Sequence, residues 1–279
     1  MPNDNHQHIP SDLKQIGLVM RYDIYKHLRS KRLLSIIVIE IAVLALILLL
    51  PPLLGHAYPK DAAAFVGNFA GFVGILVVIG ATLFAGDAIV SEYQNRTGYL
   101  LFPNPVKRWA LFVGKLFATM IIMTLVMTVY YAVAIGAGIG VTGNVSILAF
   151  YSFLLALLYS LACVGIGYLL SSIMKGATGA LVFTFAVLFM LLPIVDRVTS
   201  VAGVKVDASL TFAGGVVNNI LVSPYPHDYS QSFPITPTQN MTIWNYFPDV
   251  GISIVVMLVY AGISLAIALV VFQRREMLG

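Results

Sequence analysis

A chain of 279 residues that is 59% hydrophobic and only 10% charged, with a mean hydropathy of +0.91, does not read as a soluble domain. Such a domain carries about 25% charged residues, so most of this chain belongs in lipid. The net charge of +4 is small and gives no basis for nucleic-acid binding, and the single cysteine, Cys163, excludes a disulfide framework or thiolate metal cage within one chain.

Residues 1–32 form a polar arm that is too long and too charged for the n-region of a signal peptide. The apolar run that follows it has no small-residue cleavage pattern and reads as an uncleaved span. Within the arm, Leu13, Ile16, Met20, Ile24 and Leu28 recur every three or four residues and line one helix face. With Lys14, Lys26 and Arg29 beside or opposite it, such a helix lies in the headgroup plane of the membrane lipid. The alternative is a flexible basic tail that only sets topology. His6 and His8 do not make a metal site on their own.

A spanning helix needs about 20 mostly apolar residues. Six stretches qualify, at 33–54, 62–85, 109–137, 147–170, 177–195 and 250–272, so the expected fold is all-α and integral to the membrane, with one six-span domain over 33–279. Glu40 is the one acid well inside a span. Either it faces protein or a water-filled transport path, or it snorkels to a nearby interface. Gly136 to Gly143, "GAGIGVTG", lacks a preceding strand and reads as a loosened helix end rather than a nucleotide fingerprint.

Residues 86–108 form a charged, turn-rich loop between the second and third spans. Asp87 to Leu101 is expected to continue as a helix, with Glu92 and Arg96 as an exposed i,i+4 pair. Pro103 and Pro105 end it, and Lys107, Arg108 and Trp109 mark re-entry into lipid. This loop is either a docking surface or an ordinary positively charged connection. Residues 196–249 are too many for a simple link. Ser209 to Ser223 is expected to form a short re-entrant or surface helix, and the Pro- and aromatic-rich part after it an extended cover; the alternative is a disordered loop.

Of sixteen Lys and Arg residues, all but Lys60, Arg197 and Lys205 fall on one side of the six spans. That side is expected to be cytoplasmic, and it holds both termini.

The loop at 86–108 resembles the signature of the type-2 ABC-exporter permeases. That signature is a Glu, a Thr after four residues, an apolar stretch, a Pro followed within three residues by Arg, and later a Lys. Here the positions are Glu92, Thr97, Leu100–Leu101, Pro105, Arg108 and Lys115. Arg96 stands where the family usually has Gly, and Gly98 follows the Thr instead. The wording "NRTGYLLFPNP" is most similar to a prokaryotic subgroup that includes the copper-site maturation permeases of the nitrous-oxide reductase system.

The resemblance implies a permease subunit in the cell membrane that couples to a separate ABC ATPase and pairs with a second permease chain. The coupling residues would be Glu92, Arg96, Thr97, Pro105, Arg108 and, in the second loop, Lys175. ATP and Mg would be bound by the partner. This chain has no G-x-x-x-x-G-K-[ST] loop, so it is expected to carry neither catalytic residues nor a cofactor of its own. The competing expectation is an ATP-independent transporter or membrane assembly factor that uses the loop for another partner.

Overall fold

The computed structural model describes residues 11–94, 107–236 and 239–275. Helix α1, Asp12–Leu28, is followed by α2, Lys31–Leu53, and α3, Ala62–Ala85. After a turn at 86–89, α4 is a single short segment, Val90–Gln94. Two long helices follow, α5 (Arg108–Thr142) and α6 (Ile147–Ile173). The next run starts as α7, Ala177–Phe185, widens into a π segment, Ala186–Leu191, and ends as α8, Leu192–Val201. Two short helices, α9 (Leu210–Gly214) and α10 (Val216–Asn219), precede a β-hairpin and the last helix, α11 (Val250–Arg274).

Local chemistry sets these boundaries. Ser30, Asp61, Ser146 and Asp249 each cap a helix by accepting a hydrogen bond from a first-turn N–H. Gly143 closes α5 in the left-handed conformation at φ 74°, which costs glycine little. The π segment has a cause in Pro193, just beyond it: proline has no N–H to donate and its ring collides with the carbonyl four residues back, so the helix widens there.

Six helical runs are long and apolar enough to cross a membrane, at the six expected places. Two differ from expectation in extent. The third runs over 35 residues, roughly 52 Å at 1.5 Å per residue, well beyond a hydrocarbon core of about 30 Å. It stays helical through Gly136, Gly138 and Gly140 to Thr142, so the "GAGIGVTG" stretch is a continuous helix end, not a loosened one. The fifth run continues to Val201, into the segment expected to be loop.

The core lies around α3, α5 and α6. The apolar window of α3 is 67% buried and that of the α7–α8 run only 17%, which makes α3 central and leaves α7–α8 with an open apolar face. α6 packs on α3, α5 and α11. Small residues bring it close: a Cβ at Gly165 would sit 3.4 Å from the Ala261 backbone, and one at Gly167 would sit 2.8 Å from the Ala85 Cβ.

The segment before α11 is more ordered than an extended cover. Apolar residues of α9 and α10, including Leu210, Ala213, Val216 and Val217, are buried against the bundle. β1, Tyr229–Thr236, then pairs antiparallel with β2, Gln239–Asn245, in a register that sets Tyr229 opposite Asn245 and Ser232 opposite Thr242. The Ser232 and Thr242 hydroxyls lie 3.1 Å apart across the strands.

Candidate coupling surface

The spans alternate direction, so α1, α4, the start of α5, the α6–α7 turn and the end of α11 all meet at one end of the bundle. The densest charge chemistry of the described residues lies there.

Its centre is Lys115, two turns into α5 and 3% exposed. Its Nζ lies 2.9 Å from Asp23 Oδ2 on α1 and 2.7 Å from Glu92 Oε1 on α4. All three side chains are nearly dry, at 4%, 6% and 12% exposure, so the cation is compensated by two carboxylates in a low-dielectric site. Gly114 makes this possible. A Cβ there would stand 2.8 Å from the Val19 Cβ and 2.9 Å from the Ile16 carbonyl, so only glycine lets α1 lie this close to α5.

The expected exposure of Glu92 is therefore corrected. Glu92 points inward because a buried lysine needs compensation more than a surface carboxylate needs water. The expected continuous helix from Asp87 is corrected too. A turn at 86–89 intervenes, fixed by Arg32, which donates to both Asp87 oxygens at 2.7 and 2.6 Å and to the Leu83 carbonyl at 2.8 Å.

α4 is tied to three further elements. The Ser171 hydroxyl of α6 accepts from the N–H groups of Ile89 and Val90 at 3.0 and 3.1 Å. Gln94 Oε1 accepts from the Ala177 N–H at 2.8 Å, joining the first loop to the start of α7. The Arg275 guanidinium stacks over the Tyr93 ring at 4.6 Å and donates to the Ser172 carbonyl. Where the chain re-enters at Lys107, its N–H donates to Gln15 Oε1 at 2.9 Å and its Nζ pairs with Asp12. Arg108 donates to the carbonyls of Gln273 and Arg275.

Thus the structure brings Glu92 and Arg108 into one anchored layer and leaves Lys175 exposed in the adjoining turn. Arg96, Thr97 and Pro105 lie outside the described residues.

On α1, Leu13 and Leu28 are exposed, while Ile16, Met20 and Ile24 are half-buried beside the packed face. The packed face itself is polar: Gln15, Asp23 and His27 are its buried residues. Sequence reasoning passed over it. The signal was present as a spacing of four through Gln15, Val19, Asp23 and His27, together with Lys115 inside an apolar run. Burial lowers the His27 pKa from 6.5 to about 4, although Asp23 pulls the other way. Its ring meets Phe84 edge-on at 5.3 Å.

Glu40 lies on the packed face of α2 with Ile36, Leu44 and Ile47, and is 1% exposed. Its Oε1 has no hydrogen-bond partner among the described residues. It faces protein, so the snorkelling alternative is corrected. Among the described residues no cluster of three His, Cys, Asp or Glu is placed to hold a metal ion.

Six helices long and apolar enough to cross a membrane, with an anchored, charge-dense layer at one end, define a multi-pass integral membrane protein. Residues 17–277 match the ABC-2 family transporter protein model, and the chain belongs to that family, as a membrane subunit of an ABC transporter. No curated relative matches the sequence.

Proposed function

We propose that this chain is the permease half of an ATP-driven exporter, working as a dimer with a second permease chain and with two ATPase subunits that bind ATP and Mg. The end of the bundle with α1 and both termini is cytoplasmic, and the ATPase docks on the loop at 86–108 and on the turn at Lys175. The observation that carries this reading is the junction of the two loops in one layer: Gln94 bonds to Ala177 N–H while Glu92 is held by Lys115. A push on that layer is felt by α1, α5, α6, α7 and α11 together, because each is bonded to it. Such a joined layer supports rigid-body movement of the membrane helices and alternating access. The open apolar faces of α2 and α7–α8, windows only 22% and 17% buried, suit a second permease chain. The loop sequence alone supports placing the chain near the copper-site maturation permeases.

Purification in mild detergent from the native membrane tests the reading. A roughly equimolar ATPase chain should be retained. Recovery of a stable permease with no ATPase under any nucleotide condition would overturn it and favour an ATP-independent transporter or assembly factor.

A further inference from the structure

At the end of the bundle opposite α1, a cavity of about 250 Å³ opens between the end of α8, the α9–α10 pair and the base of the hairpin. Asp196, Arg197, Phe212, Asn219, Trp244 and Tyr246 line it. It is far from the coupling layer and plays no part in the reading above.

The aromatic wall is held in place. The Trp244 and Tyr246 rings, two residues apart where β2 ends, stack at 6.0 Å and 7°. Ser200 Oγ donates to the Trp244 carbonyl at 2.6 Å, and the Tyr246 hydroxyl donates to the Gly203 carbonyl at 2.7 Å. Gly203 has φ 75°, and a Cβ there would lie 3.1 Å from Trp244 Nε1, so the backbone and the indole are fitted to one another.

Asp196 accepts from the Thr211 hydroxyl through one oxygen. Its other oxygen is shielded and has no hydrogen-bond partner among the described residues. Such an oxygen is stabilised by a nearby cation. The nearby lysine does not supply it: Lys205 pairs with Asp228 at 2.9 Å and reaches Asp207 at 3.9 Å. Residues 192–250 carry four Asp against Arg197 and Lys205, so the local field also favours a positive group. Arg197 beside Asp196 makes the cavity two-signed. A bare cation would leave that guanidinium unmatched, and a bare anion would face the carboxylate.

We infer that this cavity binds a zwitterionic head group, with its positive nitrogen toward Asp196 and the Trp244–Tyr246 wall and its phosphate toward Arg197. Ring faces and a carboxylate suit an alkylammonium, and a guanidinium suits a phosphate. The group comes either from a zwitterionic phospholipid at the membrane surface or from a free phospho-amine in the solvent.

The two tryptophans are Trp109 and Trp244, so a Trp109→Phe chain reports the cavity by fluorescence. In detergent, glycerophosphoethanolamine and glycerophosphocholine should shift the emission saturably. Asp196→Asn should weaken that response about tenfold, because the negative charge behind the cavity wall is lost. Arg197→Gln, at an exposed position, should weaken it similarly and serves as a second variant if Asp196→Asn does not fold. Choline alone and glycerol phosphate alone should act only at much higher concentration. Nanodiscs of phosphatidylethanolamine and phosphatidylglycerol separate the sources: an emission difference between them that vanishes in Asp196→Asn identifies the lipid, and a response confined to the soluble probes identifies a free solute. No saturable response to any zwitterionic probe, an equal response in both variants, or an equal response to glycerol phosphate alone would overturn the inference.

Discussion

Lys115 and Glu92 meet across 2.7 Å inside the protein, and this contact turns the first loop inward, toward the helix it precedes. With Asp23 on the other side of the same ammonium, the pair makes α1, α4 and α5 one mechanical unit.

Removing the cation alone should be costly. Lys115→Met takes the ammonium from between two carboxylates in a dry site, and breaking a buried pair in this way costs about 3–5 kcal/mol. Adding Asp23→Asn and Glu92→Gln to Lys115→Met removes the two negative charges as well and should recover most of that loss. Thermal unfolding of the single and triple variants in detergent checks this. Equal losses in both would mean that the triad contributes by packing rather than charge.

Gly114→Ala should lift α1 from α5, because the new methyl would overlap the Ile16 carbonyl and Val19. Overpacking of this kind costs about 1–3 kcal/mol. Hydrogen exchange along residues 12–28 should rise, with the spans unaffected. Unchanged protection would show that α1 is seated by other contacts.

Acid should loosen the same helix. His27 titrates at about 4 when packed, against 6.5 when free, chiefly because burial penalises its charged form; Lys26, Lys115 and Arg32 add to this and Asp23 opposes it. The free form therefore binds more protons between those values. Docking is at full strength above pH 6.5 and weakens as pH falls toward 4, by at most about 1.4 kcal/mol per pH unit. His27→Gln should flatten the dependence of α1 protection on pH over that window. An equally steep profile in the variant would assign the effect to other groups.

The spans were legible because long apolar runs leave few alternatives in lipid. The Lys115 site was not, although its parts were in plain view. Its partners lie 92 and 23 positions away in the chain, and helical periodicity reports only which residues share a face. The stripe through Leu13, Ile16, Met20, Ile24 and Leu28 drew attention to apolar positions, while the packed face through Asp23 and His27 is polar. The pairing of Tyr229–Thr236 with Gln239–Asn245 was hidden by Pro234, which argues against a central strand. In a two-stranded ribbon both strands are edges, and a proline is tolerated there.

Spin labels along residues 13–28 should show a helical period in depth, because one face of α1, through Gln15, Asp23 and His27, is packed against the bundle. A uniform, water-exposed profile in the unmodified chain would contradict an arm lying on the membrane.

The most direct measurement is ATP hydrolysis by this chain reconstituted, with Glu92→Gln, together with the ATPase proposed to dock on it. The variant keeps the size of the side chain and removes the charge that holds the loop to Lys115. The ATPase should stay bound while permease-dependent hydrolysis falls by about tenfold, within the usual range of coupling energies. Hydrolysis at the unmodified rate in a fully assembled complex would contradict the proposed coupling.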